Sequence, residues 1–176
     1  MSKTFRLNLV NFILFQISWF ACVLGAAHNL LWPSVVVIFV FVAWQLSPQN
    51  RCPGDIRLVA LCVAIGIVLD SVWIRLGIIK YEMAYPSQLW APIWIIFLWV
   101  SLALTINHSL AWVKRRLIVA ALFGAIGSPL SYYAGSRLGA AELPADVVIT
   151  VAVFAVSWAF VMTGLAILAD RWMISS

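Results

Sequence analysis

The chain has 176 residues, 65% of them hydrophobic and 10% charged, with a net charge of +5 and a mean hydropathy of +1.05. So apolar a composition excludes a soluble globular domain, in which roughly a quarter of residues are charged. The basic excess does not indicate nucleic acid, because no basic stretch outside the apolar segments is interleaved with aromatics. Lys and Arg in the loops of a membrane protein explain it.

Six apolar stretches fill the chain, and a hydrocarbon core of about 30 Å needs about 20 residues per helix. The pattern predicts a single integral membrane domain over 1–176. Its class is all-α, a polytopic bundle of six transmembrane helices at about 7–27, 29–47, 57–79, 90–112, 117–137 and 146–169. Lys3 and Arg6 precede the first stretch and Gly25-Ala26-Ala27 mimics a cleavage site, but the run contains Asn11, Gln16 and Trp19 and is too long for a typical signal peptide. It is read as a retained first span. His28-Asn29 makes a short turn, so the first two helices are antiparallel neighbours. The segment Ser47 to Gly54, with two prolines and a glycine, is a breaker loop. Asp55, between Arg51 and Arg57, is expected there as part of a solvated cluster.

Lys3, Arg6, Arg51, Arg57, Lys114, Arg115, Arg116 and Arg171 fall on one side of the predicted bundle, and Lys80 and Arg137 on the other. The positive-inside rule then places both termini in the cytoplasm.

In the third span Asp70 is the one acidic residue deep within a predicted helix. A charged Asp at a helix centre costs about 3 kcal/mol on insertion scales, so protonation, a partner or a wet cavity must compensate. Trp73 shares its face, whereas Arg75 lies on the opposite side and reaches outward. In the fourth span Trp90, Trp94, Phe97, Ser101, Thr105, His108 and Trp112 recur at three and four residues, which sets them on one stripe facing the bundle. The fifth span carries Gly124, Ser128, Ser131 and Gly135 in a row that lets backbones approach closely, with Pro129 inside it. Tyr132 adjoins that row.

Depth sorts these groups. At 1.5 Å per residue Asp70 lies about 3 Å from the bilayer centre, with Gln16, Trp19, Ser101 and Ser131 near its level, and His108 lies about 10 Å to the cytoplasmic side. The expected ligand site is therefore Asp70, Gln16, Trp19, Trp73, Trp94, Phe97, Ser101, Ser131 and Tyr132. A second polar cluster of Asn11, Asn107 and His108 lies nearer the cytoplasm. Asp70 and His108 are not expected to meet.

Cys22, Cys52 and Cys62 form no CxxC pair and show no zinc spacing, so no metal and no cofactor is expected, and the thiols are read as reduced. No HExxH, GxSxG, acidic prenyl-transfer run or Gly-rich phosphate loop occurs. An NTPase is excluded on that ground. Catalytic residues stay unassigned.

The segments Asn11 to Phe20, Asp70-Ser-Val-Trp73, Trp94 to Trp99 continuing to Asn107-His108, and Gly127 to Gly135 resemble an uncharacterised bacterial family of small six-helix inner-membrane proteins, known as a domain of unknown function. The resemblance covers essentially the whole chain. It implies a multi-pass protein of the bacterial inner membrane and brings no activity. In size and helix count the chain also resembles the substrate-binding subunits of vitamin transporters, an analogy of architecture. Three functions fit: a protein that binds or passes a small amphipathic or lipid-like molecule near Asp70, an accessory or scaffold subunit for a membrane-protein partner, and a membrane enzyme acting on a lipid or isoprenoid-like substrate. The bilayer is a partner in all three.

Overall fold

The computed structural model describes residues 2–144 and 146–174. It contains six α-helices: α1 (Lys3–Ala27), α2 (Trp32–Gln45), α3 (Asp55–Arg75), α4 (Ile93–Ile106), α5 (Leu117–Arg137) and α6 (Val147–Ile174). Two two-residue strands, β1 (Lys80–Tyr81) and β2 (Ala141–Glu142), pair antiparallel, with Lys80 opposite Glu142 and Tyr81 opposite Ala141. The strands tie the α3–α4 connection to the α5–α6 connection. We call this the strand end and the opposite end, with residues 46–54, 107–116 and 170–173, the basic end.

Helices α1, α3, α5 and α6 are long and apolar enough to cross a membrane. Helices α2 and α4 have 14 residues each. At 1.5 Å per residue they span about 21 Å, less than the hydrocarbon thickness of about 30 Å. The stretch expected as a span at 90–112 thus holds a shorter helix, then turns and a 3-10 turn at Ala111–Val113. The stretch expected at 57–79 ends as a helix at Arg75.

The long helices stop at the strand end through one device. Leu30 N–H donates to Gly25 O and Asn29 N–H to Ala26 O; Ile78 to Trp73 and Gly77 to Ile74, and Ala140 to Gly135 and Gly139 to Ser136, repeat the pattern. These paired bonds satisfy free terminal carbonyls and require a left-handed residue. Gly77 (φ +67°) and Gly139 (φ +85°) adopt it without a Cβ penalty, and Asn29 (φ +55°) takes the same place after α1.

Helix α4 is the central element, packed against α1, α2 and α3. Ser101 to His108 are all buried. A helix apolar on every side belongs inside a bundle, so the expected single inward stripe is only part of its buried surface. Trp90 and Trp112, at the ends of that stripe, are half exposed. Helices α5 and α6 pack chiefly on each other, and Gly124 allows this: a Cβ there would lie 2.3 Å from Trp158 O. Outward faces carry exposed Phe12, Phe20, Phe39, Val68, Ile118, Ile126 and Phe160, the surface a lipid solvent calls for.

Candidate functional site

Asp70 is fully buried. Its face of α3 also holds Asp55, Leu58, Cys62, Gly66 and Trp73, all buried at three- and four-residue spacing. Gly66 lets the Trp99 indole lie across α3; a Cβ there would sit 2.4 Å from the ring. Trp99 Nε1–H then donates to Asp70 Oδ2 at 2.8 Å. The Tyr81 hydroxyl, brought in by β1, donates to Oδ1, and the Tyr132 hydroxyl of α5 donates to the same oxygen at 3.3 Å. Three donors from three segments thus surround the carboxylate without a basic partner. Hydrogen bonds to a charged group contribute about 1.5–3 kcal/mol each, enough to offset the insertion cost of about 3 kcal/mol. Burial, reinforced by the neighbouring carboxylate, holds the Tyr81 phenol well above its ordinary range, so it remains a donor.

These three aromatics form one wall of a chamber of about 510 Å³. Phe15, Gln16, Trp19 and Phe20 line it from α1, Trp94, Leu98 and Trp99 from α4, and Trp158 and Met162 from α6. Helix α5 contributes Gly124, Gly127, Ser128, Ser131 and Tyr132, and Tyr81, Ala140 and Ala141 close the strand end. Ring contacts fix the wall: Trp99 stacks on Trp158 at 4.7 Å, Tyr132 on Phe154 at 4.2 Å, and Tyr81 meets Trp94 edge-on at 5.5 Å. Trp19 Nε1–H donates to Ser131 Oγ at 2.8 Å and bridges α1 to α5 across the chamber. No Asp, Glu, Lys, Arg or His is among the lining residues. Trp158 Nε1 is buried and close enough to the Tyr132 hydroxyl to interact with it, but among the described residues it has no partner in full hydrogen-bond geometry.

Of the residues expected around the ligand, Gln16, Trp19, Trp94, Ser131 and Tyr132 line this chamber. Asp70 stands behind its wall. Trp73 packs against Tyr132 and Phe154, Ser101 Oγ bonds back to Phe97 O at 3.0 Å, and Phe97 is half-buried outside the lining. Sequence reasoning missed Tyr81 and Trp99, the two closest partners of Asp70. Tyr81 lies in the two-residue strand β1, outside every predicted span, and Trp99 falls off the stripe chosen on α4.

The second cluster closes the basic end. Helix α4 stops at Ile106, and the side chains around it take up the freed backbone groups. Asn11 Nδ2–H donates to Leu104 O at 2.9 Å and to Gln45 Oε1 at 2.6 Å, and Asn11 Oδ1 accepts from Ser109 Oγ–H at 2.6 Å. Asp55 is 1% exposed, which corrects the expectation of a solvated loop carboxylate. The turn at Gly54 starts α3 so that Asp55 faces inward beneath the end of α4. There its oxygens accept from Asn107 Nδ2–H at 2.8 Å, Cys52 N–H at 2.7 Å and His108 Nε2 at 2.9 Å. Gln45 Nε2 lies 3.2 Å from Nδ1 and 3.1 Å from Nε2 of the same ring, so its amide sits against the imidazole. Lys114 donates to Asn107 Oδ1 at 3.0 Å, and burial lowers its ammonium from the ordinary lysine range. Burial first, and Asp55 second, raise the Cys52 thiol. Asn11, Asn107 and His108 thus belong to one hydrogen-bonded network.

Residues 8–164 match the family described as Protein of unknown function (DUF2878). The chain belongs to this family. No curated protein and no solved structure matches it. Membership in DUF2878 brings no activity, so the chemistry rests on the geometry of the chamber and the network. Arg75, the basic residue nearest Asp70 in α3, places its guanidinium 4.7 Å over the Trp90 ring instead. In this DUF2878 chain the partners of Asp70 are instead Tyr81, Trp99 and Tyr132, three residues that line the chamber.

Proposed function

We propose that the protein binds or passes a small amphipathic molecule with an uncharged, hydroxyl-like head, held in the chamber between α1, α4, α5 and α6. The carrying observation is the lining: about 510 Å³ of largely apolar and aromatic wall, no ionisable group except the phenols, and an unpartnered indole N–H beside Tyr132. Binding sites for small molecules have this anatomy, an apolar body with few placed polar groups. Trp158 Nε1–H donates to an acceptor on the head. The Tyr132 and Tyr81 oxygens, their protons committed to Asp70, accept from a donor. A hydroxyl satisfies both at once. A phosphate or carboxylate head finds no cation here. Phe20, Phe123 and Leu130 on the rim are exposed at 52%, 41% and 63%, so the mouth opens sideways between α1 and α5. A lipid-soluble molecule would reach it from the bilayer.

Asp70 is a positioning residue in this reading. Asp70→Asn replaces an acceptor by an amide donor facing a tyrosine or tryptophan donor, which unsettles the wall at a cost of about 1–3 kcal/mol. Wild type and Asp70→Asn, purified in mild detergent, are compared by mass spectrometry of co-purifying molecules. A neutral amphipathic species retained by wild type and lost from the folded variant supports the site. Identical profiles from two well-folded proteins contradict it.

A further inference from the structure

The network at the basic end gathers more chemistry than helix capping needs. Cys52 Sγ, a carboxylate oxygen of Asp55 and a ring nitrogen of His108 all lie within 4.8 Å of one another. They come from the α2–α3 loop, the first turn of α3 and the turn after α4, so folding alone brings them together. We propose that Cys52, Asp55 and His108 form a binding site for a zinc-like divalent transition metal at the basic end, with one coordination position open to the adjoining pocket.

The donor set is one sulfur, one imidazole nitrogen and one carboxylate oxygen. That mixture suits an ion of borderline softness and not calcium or magnesium, which take oxygen ligands. In a tetrahedral site with bonds of about 2.0–2.1 Å, the nitrogen and oxygen stand about 3.3 Å apart. His108 Nε2 and Asp55 Oδ2 are 2.9 Å apart, so that pair opens by a few tenths of an ångström, while Cys52 Sγ, within 4.8 Å of both, settles at the roughly 3.6 Å that a sulfur bond of about 2.3 Å sets. Binding releases the Cys52 thiol proton to solvent and moves the His108 proton from Nε2 to Nδ1; Gln45 Nε2, 3.2 Å from Nδ1, is itself a donor, so the Gln45 amide has to turn away from the ring. Thiolate and carboxylate together neutralise the dication, which limits the cost of holding it in a buried place.

The surroundings are those of a supported site. Asn107 holds the second oxygen of Asp55, and the Cys52 backbone N–H clamps the loop to the first. Outer partners of this kind orient metal ligands. Lys114 donates to the Asn107 oxygen and lies near enough to Cys52 and Asp55 to feel their charges. Cys52 and Asp55 also line a surface pocket of about 440 Å³, through which water or a small ligand reaches the fourth position. Three protein ligands plus one open position is the arrangement of catalytic more than structural zinc sites.

The test uses the full chain in detergent, stripped with a chelator and titrated with cobalt(II). One equivalent should produce thiolate-to-cobalt absorption, lost in Cys52→Ser and kept in Cys62→Ser. Asn107→Ala should weaken binding roughly 10–100-fold. Independently of any variant, one equivalent of zinc should slow alkylation of Cys52 in wild type. Absence of the thiolate band together with unchanged alkylation would overturn the site, as would a band that survives Cys52→Ser.

Discussion

At the scale of single residues, Asp70 is held by donors whose positions depend on residues with no polar role. Gly66 is the sharpest case: a Cβ would meet three atoms of the Trp99 indole at 2.4–2.6 Å. Gly66→Ala should displace Trp99 from Asp70 and cost about 1–3 kcal/mol through overpacking, seen as a lower unfolding temperature in detergent. Gly127→Ala, where an added Cβ meets nothing within 4 Å, should hold that temperature or raise it slightly, because Ala is the better helix former. Equal behaviour of the two variants would contradict the packing described. Asp70 was legible in the sequence because an acidic residue in an apolar span stands out on cost alone. Its partners were not, since aromatic residues fill every span and only the fold selects Tyr81, Trp99 and Tyr132 from among them. Asp55 lies between arginines that suggest solvent, although its spacing to Leu58, Cys62, Gly66 and Asp70 continues one buried helix face.

At the scale of elements, the short central helix explains the polar network. Irregular backbone inside a membrane protein is tolerated where protein groups satisfy it. Asn11 does this for α4 by engaging Leu104 O, Gln45 and Ser109. Asn11→Ala should therefore destabilise the fold by at least about 2 kcal/mol, measurable as loss of thermal stability without loss of helix content at low temperature. A silent variant would mean that α4 ends for another reason. Composition and hydropathy located all six helices, and the α5 boundaries were read as they stand. The ends of α3 and α4 were placed too far along, because hydropathy continues past the point where hydrogen bonding changes. Gly77 ends α3 by conformation, and the polar turn after Ile106 ends α4 within a sequence that still reads as apolar.

At the scale of the whole molecule, four helices are long enough to cross a bilayer and two are short, which the apolar pattern alone did not distinguish. We propose that all six nonetheless cross it, the short pair shielded by their neighbours, with the basic end in the cytoplasm. Lys3, Arg6, Arg51, Arg57, Lys114, Arg115, Arg116 and Arg171 account for most of the chain's basic residues and set that orientation. Accessibility tags at either terminus and in the 47–53 loop should all report the cytoplasm, and a tag in the 82–90 segment the other side. Opposite sides for the two termini would refute the six-span topology.

The central claim is that the chamber holds a molecule, and Gly127 gives the cleanest access to it. The residue lines the chamber, and its Cβ position is open. Gly127→Phe should fill the space while leaving the helix packing intact; Ile126→Phe, on the exposed face of α5, is the matched control. The decisive measurement is the amount of bound neutral amphipathic molecule per protein, by mass spectrometry, in wild type and both variants. The account predicts retention by wild type and Ile126→Phe and loss in Gly127→Phe. Equal amounts in all three folded proteins would place any bound molecule outside the chamber and contradict the account.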